Sequence, residues 1–302
     1  MLSSQSSTQP IQPQRTTEAA EYHANPTLYW VGRVLIYTGL VFFTLLFLSP
    51  FAWLISNSLK DAAHAFDANW IPQPRIEWAN YISIFEEVPL LQMARNSVIV
   101  SVLGVLAVLI SSSMIAYGLA RLRFPGSNLV FMAVLGTMMM PGAVTMVPVY
   151  LIWKKLNLVN TLYPLWLGNL FGSSFYIFML RQFFLGLPQE IIDAGRVDGA
   201  SYYRIFWQLM LPLIRPALLS VAIFEFQAKW NDFMGPLIYI QNPDLRTLPL
   251  GLQIFVQHLG YGQFRWELLF AASVLVTLPM VLLFAVAQKQ FIEGIATTGI
   301  KG

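Results

Sequence analysis

Cysteine is absent from the 302-residue chain, which excludes disulfide bonds, thiolate metal sites and a cysteine nucleophile. Charged residues are scarce, at 11% of the sequence against 56% hydrophobic residues. Since a soluble domain carries roughly 25% charged residues, this composition excludes an ordinary water-facing surface. The sequence has no basic run that would suggest a nucleic-acid partner and no Gly-x-x-x-x-Gly-Lys-Ser/Thr phosphate loop. The composition therefore indicates an integral membrane protein in contact with a lipid bilayer.

Long intervals without charged residues predict the transmembrane spans. A span needs roughly 20 residues to cross the hydrocarbon, and five charge-free intervals of 21 to 30 residues meet this length. A sixth apolar segment contains Arg215, Glu225 and Lys229, and it is predicted to span because charges inside spans usually face protein or water. We predict an all-α polytopic membrane protein with six transmembrane helices, at about residues 34–59, 96–120, 128–153, 160–180, 212–231 and 268–288.

The segments outside these spans predict the domain organisation and the orientation. Residues 1–29 are rich in Ser, Gln, Thr and Pro and are predicted to form a disordered cytoplasmic tail, and residues 30–302 form the transmembrane domain. The tight loop containing Arg121 and Arg123 has no acid, so the positive-inside rule places it and both termini in the cytoplasm. Residues 181–211 are then a cytoplasmic loop.

Two local patterns predict features inside the spans. The Ser111–Ser113 run in the second span is typical of a close helix–helix contact built from small residues, with sugar contact as the alternative. Met138–Met140 followed by Pro141 predicts a kink in the third span, because proline interrupts the helical hydrogen-bond ladder.

The 181–211 loop is too polar to cross a membrane and too regularly patterned to be a linker. Glu190 and Asp193 place negative charge near the start of a helix, where the helix dipole favours it. Gly199 ends that helix with a predicted positive-φ corner, and Ser201 can cap a second helix. The sequence thus predicts a helix, a glycine corner and another helix on the cytoplasmic face.

The surface of the first loop helix suggests a partner. An apolar stripe is expected along it, and the adjacent small residues Ala194 and Gly195 would let another body approach its backbone closely. The stripe consists of Leu187, Ile191, Ala194 and Val197. The alternative is a helix lying flat on the membrane, but such helices usually carry basic polar faces, whereas this one begins with two acids.

The motif Asp193-Ala194-Gly195, three residues, Gly199, nine residues, Leu209, one residue, Leu211-Pro212 resembles a known family signature. It is similar to the cytoplasmic loop of binding-protein-dependent ABC importer permeases, with Asp for Glu, Gly for the second Ala and Leu for Ile. Further runs resemble the carbohydrate-uptake subfamily, in particular the six-span subunit of the maltose-transporter type. These runs are Arg196–Ser201, Trp230–Phe233, Thr247–Gln253, Gln288–Gly294 and Gly299–Gly302.

This resemblance implies a pore-forming subunit of an ATP-driven sugar importer in the plasma (inner) membrane of a bacterium or archaeon. The implied partners are a second permease subunit in a heterodimer, two ABC ATPase subunits and an extracytoplasmic sugar-binding protein. The chain itself would be no enzyme and hold no cofactor, because ATP and Mg would be bound by the ATPase subunits. The implied ATPase-coupling residues are Glu190, Asp193, Ala194, Gly195, Asp198, Gly199, Ala200 and Ser201.

The fifth span contains the candidates for a pore or substrate path. Glu225 and Lys229 are four residues apart, in the favourable order for an ion pair on one helix face. They could line a polar pore, or they could form an internal salt bridge that makes both charges tolerable, and the sequence leaves both open. The candidate set is Ser220, Glu225, Gln227, Lys229, Asn231 and Asp232.

Two other functions compete with an ABC importer. An ion-coupled secondary transporter often shows internal repeats around a midplane ion site, and no convincing repeat is present. A membrane-embedded enzyme needs a nucleophile with a base, or clustered metal ligands inside spans, and the sequence suggests neither. The three histidines are widely separated, so no metal site is predicted.

Overall fold

The computed structural model describes residues 26–72, 75–259 and 265–299, and in these ranges all regular structure is helical, as predicted. The α-helices are α1 Pro26–Ser58, α2 Asn80–Glu87, α3 Leu90–Arg121, α4 Ser127–Met138, α5 Gly142–Lys155, α6 Tyr163–Trp166, α7 Ser174–Leu185, α8 Glu190–Val197, α9 Tyr202–Ile205, α10 Leu211–Leu213, α11 Arg215–Trp230, α12 Met234–Tyr239, α13 Leu248–Leu259 and α14 Trp266–Gly299. Leu167–Phe171 and Pro243–Leu245 are 3₁₀-helical, and Phe206–Met210 is a π-helix.

The N-terminal helix α1 begins at Pro26, a residue type that is favourable in a first turn because its missing N–H has no helical partner there. The predicted tail at residues 1–29 falls mainly on residues 1–25, which lie outside the described residues. Among the described residues, those from 26 to 56 form one compact unit, and those from Asn57 onward form a second unit that contains all the candidate site residues.

Within the described ranges, the apolar helices provide between three and six membrane spans by length and composition. Single long helices cover Tyr29–Ser58, Leu90–Arg121 and Trp266–Gln288, and three bent helix pairs supply the others. The third predicted span contains more than a kink, because α4 and α5 meet at 102° around Pro141. The fourth predicted span is interrupted by the 3₁₀ turn Leu167–Phe171, which the sequence did not predict.

Helix α3 lies at the centre of the second unit and packs against α7 and α11. Its Tyr117 ring centroid lies 5.6 Å from that of Phe184 in α7 and 5.2 Å from that of Phe206 in the π-helix. Such aromatic pairs contribute about 0.5–1.5 kcal/mol each beyond their buried area. Ile205 and Phe206 are buried in the same cluster. The second helix of the 181–211 loop is therefore anchored in the core of the bundle.

The other end of α3 holds the segment that follows α12. The Asn96 Nδ2 atom donates to the carbonyl oxygens of Asp244 at 2.9 Å and Arg246 at 3.0 Å. The Ser97 hydroxyl accepts a hydrogen bond from the Leu248 N–H at 2.8 Å. These side chains pair backbone groups that α12 and α13 leave unpaired, so the segment is held firmly to the bundle.

Candidate functional site: the loop between α7 and α11

The glycine corner after α8 has the geometry of a helix C-cap. Gly199 has φ +77°, the Ala200 N–H donates to the Gly195 carbonyl at 2.9 Å, and the Gly199 N–H donates to the Arg196 carbonyl at 3.0 Å. This pair of bonds is the Schellman motif, which favours glycine at the left-handed position. The Ser201 Oγ atom then accepts from the Arg204 N–H at 3.3 Å and caps α9. The predicted helix, corner and capped helix are therefore present.

The buried face of α8 differs from the predicted stripe. Ile192 and Gly195 are buried, and a Cβ atom at Gly195 would lie 3.0 Å from a Leu209 methyl carbon and 3.2 Å from Ile205 Cγ1. Val197, expected in the stripe, is 88% exposed. The small size of Gly195 thus serves packing within the loop, because the second loop helix covers this face.

The opposite face of α8 is open, and its exposed residues are named the docking surface after the role proposed for them below. They are Glu190, Asp193, Ala194, Val197 and Asp198. The acids of the first turn lie where the helix dipole favours negative charge. Val197 adds an apolar contact at the far end, and Ala194 between them leaves room for close approach to the helix. The surface suits a partner with an apolar cleft and basic residues at one edge.

Arg121 joins the 181–211 loop to α3, a role that the sequence did not reveal. Its Nη1 atom donates to Gln189 Oε1 at 2.9 Å, and its Nη2 atom donates to the carbonyl oxygens of Phe184 and Leu187. Gln189 in turn donates to Asp193 Oδ1 at 3.3 Å. The only sequence signal was the basic loop itself, which indicated orientation rather than a contact.

The fifth-span candidates separate into two groups. Glu225 is 7% exposed, and its Oε1 atom lies 3.8 Å from Lys229 Nζ and accepts from Asn169 Nδ2 at 2.5 Å. The Lys229 Nζ atom donates to the Leu165 carbonyl at 2.7 Å. The internal salt bridge considered from the sequence is present, and both side chains face α3 and the fourth span. Val221, four residues before Glu225, lies on the same buried face of α11.

Three of the other fifth-span candidates make side-chain hydrogen bonds to backbone groups three or four residues away in the sequence. Ser220 donates to the Pro216 carbonyl, Asn231 to the Gln227 carbonyl, and Asp232 accepts from the Gly235 N–H at 3.0 Å. Gln227 and Asn231 are exposed, and Ser220 is partly exposed. The structure therefore does not bring the six candidates together at one point.

Relatives with known names are similar over most of the chain. An arabinooligosaccharide transport system permease protein AraQ from Halalkalibacterium halodurans is 39% identical over 74% of this chain and 79% of that protein. A trehalose/maltose transport system permease protein MalG from Thermococcus litoralis is 30% identical over 89% of this chain and 97% of that protein.

The fold also has a counterpart among solved structures. A chain of a bacterial ABC transporter involved in the import of the acidic polysaccharide alginate aligns with a TM-score of 0.76 at 20% identity, covering 88% of this chain and 98% of that chain. Residues 109–296, from the middle of α3 into α14, match the family described as binding-protein-dependent transport system inner membrane component. Together with the similar relatives, this match shows that the chain belongs to that family of transporter permeases.

Proposed function

We propose that the chain is one of two pore-forming subunits of an ATP-driven importer that moves an oligosaccharide across the plasma membrane of a bacterium or archaeon. The family match and the relatives support this function, since the relatives include permease proteins named for the transport of arabinooligosaccharides, trehalose or maltose, and starch degradation products. The same match favours an ATP-driven importer over an ion-coupled transporter.

The docking surface on α8 would receive an ATPase subunit. The observation that carries this assignment is an exposed helix face whose position is fixed by the Gly199 corner, by the Arg121 contacts and by core packing of the next helix. A coupling helix must be rigidly attached to the transmembrane helices, because movement of the partner has to be transmitted to the spans. ATP and Mg would be held by two such ATPase subunits, and this chain would perform no catalysis.

The remaining partners complete an alternating-access pore. A second permease subunit would form the other wall, and an extracytoplasmic binding protein would deliver the sugar. In one solved alginate transporter, the complex includes a periplasmic protein bound to an alginate pentasaccharide, which supports a partner of this kind. Ser220, Gln227 and Asn231 are the fifth-span residues available to a sugar path, and both termini would be cytoplasmic.

Reconstitution tests this function. The chain alone in vesicles should neither move sugar nor hydrolyse ATP, and both activities should arise when the second permease, the ATPase and the binding protein are added. Uptake is measured with labelled arabinan, α-glucan and chitin oligosaccharides. Uptake by the chain alone, driven by a proton or sodium gradient, would contradict the proposal.

A further inference from the structure

The fourth span is discontinuous, and its break needs partners. After α6 the chain makes the 3₁₀ turn Leu167–Phe171, Gly172 has φ +84°, and Ser173 is extended before α7 begins. Such a turn leaves backbone groups without helical partners. In a bilayer, non-helical backbone is tolerated only where neighbouring protein groups or a water-filled cavity satisfy it.

Helix α3 satisfies one side of this break. The Ser111 Oγ atom donates to the Asn169 carbonyl at 2.7 Å, and Ser112 Oγ accepts from the Ser173 N–H at 3.1 Å. Asn169 Nδ2 donates to the Gly104 carbonyl at 3.0 Å. The serine run therefore makes a close helix contact of a specific kind, in which hydroxyl groups replace the missing helical bonds.

Helix α11 holds the same break through two charged side chains. Glu225 accepts from Asn169 within the turn, and Lys229 donates to Leu165 just before it. A buried hydrogen bond to a carboxylate is stronger than one between neutral groups, and an unpaired carboxylate at this position would be costly. At 7% exposure, Glu225 has little surface to offer a passing sugar.

We propose that Glu225 is a positioning residue that transmits movement of the 181–211 loop to the break in the fourth span. Helix α11 follows the loop directly, at an 80° bend between Tyr202–Leu213 and Arg215–Trp230, so a shift of the loop displaces α11. The bonds from Glu225 and Lys229 then carry that displacement to residues 165–173. The open side of the break carries Phe171, which is 80% exposed. This inference rests on the proposed function in one respect, namely that movement begins at the loop and passes from there to the break.

Hydrogen exchange measured by mass spectrometry on the full chain in lipid nanodiscs tests the positioning without any partner protein. In Glu225→Gln, exchange of the backbone amides in peptides covering 167–173 should rise by about three- to tenfold, which corresponds to about 0.6–1.4 kcal/mol. The matched control is Glu267→Gln, because Glu267 is also buried and accepts from Arg265 Nε at 2.9 Å, far along the chain in α14. Unchanged exchange at the break in Glu225→Gln, or an equal rise in both variants, would overturn the proposal.

Exchanging the amide and the carboxylate between positions 169 and 225 gives a pattern of hydrogen exchange that a general loss of stability would not produce. Asn169→Asp alone places a carboxylate against Glu225 and should raise exchange at the break. Adding Glu225→Gln to that variant restores a carboxylate–amide bond, so exchange should fall, although the same change raises it in the wild-type chain. The absence of this change of sign would contradict a direct role for the contact.

The reconstituted importer supplies the functional readout. Glu225→Gln should lower sugar uptake more than ATP hydrolysis, whereas loss of folded complex would lower both in proportion. If the wild-type assembly transports no sugar, the proposed function fails, yet the exchange result still decides whether Glu225 positions the break.

Discussion

At Gly199, φ of +77° requires a backbone conformation that β-branched residues rarely adopt. Gly199→Val should therefore distort the corner that fixes α8, and sugar uptake by the assembled importer should fall by about five- to 150-fold, given strain of roughly 1–3 kcal/mol. The matched control is Gly186→Val, since Gly186 in the same loop has φ −72° and an added Cβ meets nothing closer than 3.5 Å. Normal uptake and sugar-stimulated ATP hydrolysis in Gly199→Val would contradict a coupling role for the loop.

Arg121 makes three hydrogen bonds into the loop, through a fork geometry that lysine lacks. In Arg121→Lys, the membrane insertion of the chain should be preserved, because the positive charge remains. Coupling should weaken, measured as fewer sugar molecules moved per ATP hydrolysed. The control is Arg123→Lys, because Arg123 is exposed in the same basic loop. If both variants move the same number of sugar molecules per ATP hydrolysed, Arg121 contributes only to the orientation of the chain in the membrane.

The roles of residues were predictable from the sequence where they depend on local backbone conformation. They were not predictable where they depend on contacts with residues distant in the chain. Gly199 and Ser201 were identified because corners and caps depend on neighbours in sequence. The prediction that Gly195 lets a partner approach the helix backbone was wrong, because the side chains of Leu209 and Ile205 cover this position. Arg121 was missed as a contact because its acceptors lie more than 60 residues away.

The contact between α3 and α11 depends on the absence of a side chain at Gly104. A Cβ atom there would lie 3.1 Å from Lys229 Cγ and 3.3 Å from Asn169 Nδ2. Gly104→Leu should therefore push apart the elements that hold the fourth-span break, lowering the free energy of unfolding by about 1–3 kcal/mol. Gly118→Leu on the same helix is the control, since nothing lies within 4 Å of a Cβ there. Thermal melting in detergent measures both, and equal melting temperatures would contradict the proposed packing.

The elements themselves were largely predictable, but their interruptions were not. The interval predicted for the second span, 96–120, falls inside α3, and the interval predicted for the sixth, 268–288, falls inside α14. Pro141 indicated the bend in the third span. The 3₁₀ turn Leu167–Phe171 gave no signal, because its bonding partners Ser111, Ser112 and Glu225 belong to other helices.

At the scale of the whole molecule, the docking surface and the segment after α12 should lie on opposite sides of the membrane. Helix α11 spans about 24 Å at about 1.5 Å per residue, and α12 follows it in the chain before the segment that contains Gln241. The positive-inside rule, applied to the basic loop at Arg121 and Arg123, predicts that the docking side faces the cytoplasm.

Single cysteines test this orientation cleanly, since the natural chain has none. Val197→Cys, at a position that is 88% exposed, should react with a membrane-impermeant maleimide only in inverted vesicles. Gln241→Cys, exposed after α12, should react only in intact cells or spheroplasts. Labelling of both from one side would mean that α11 and α12 do not cross the bilayer. Added ATPase subunit should then protect the cysteine at position 197 and leave that at 241 unchanged, because only the docking surface is expected to be covered.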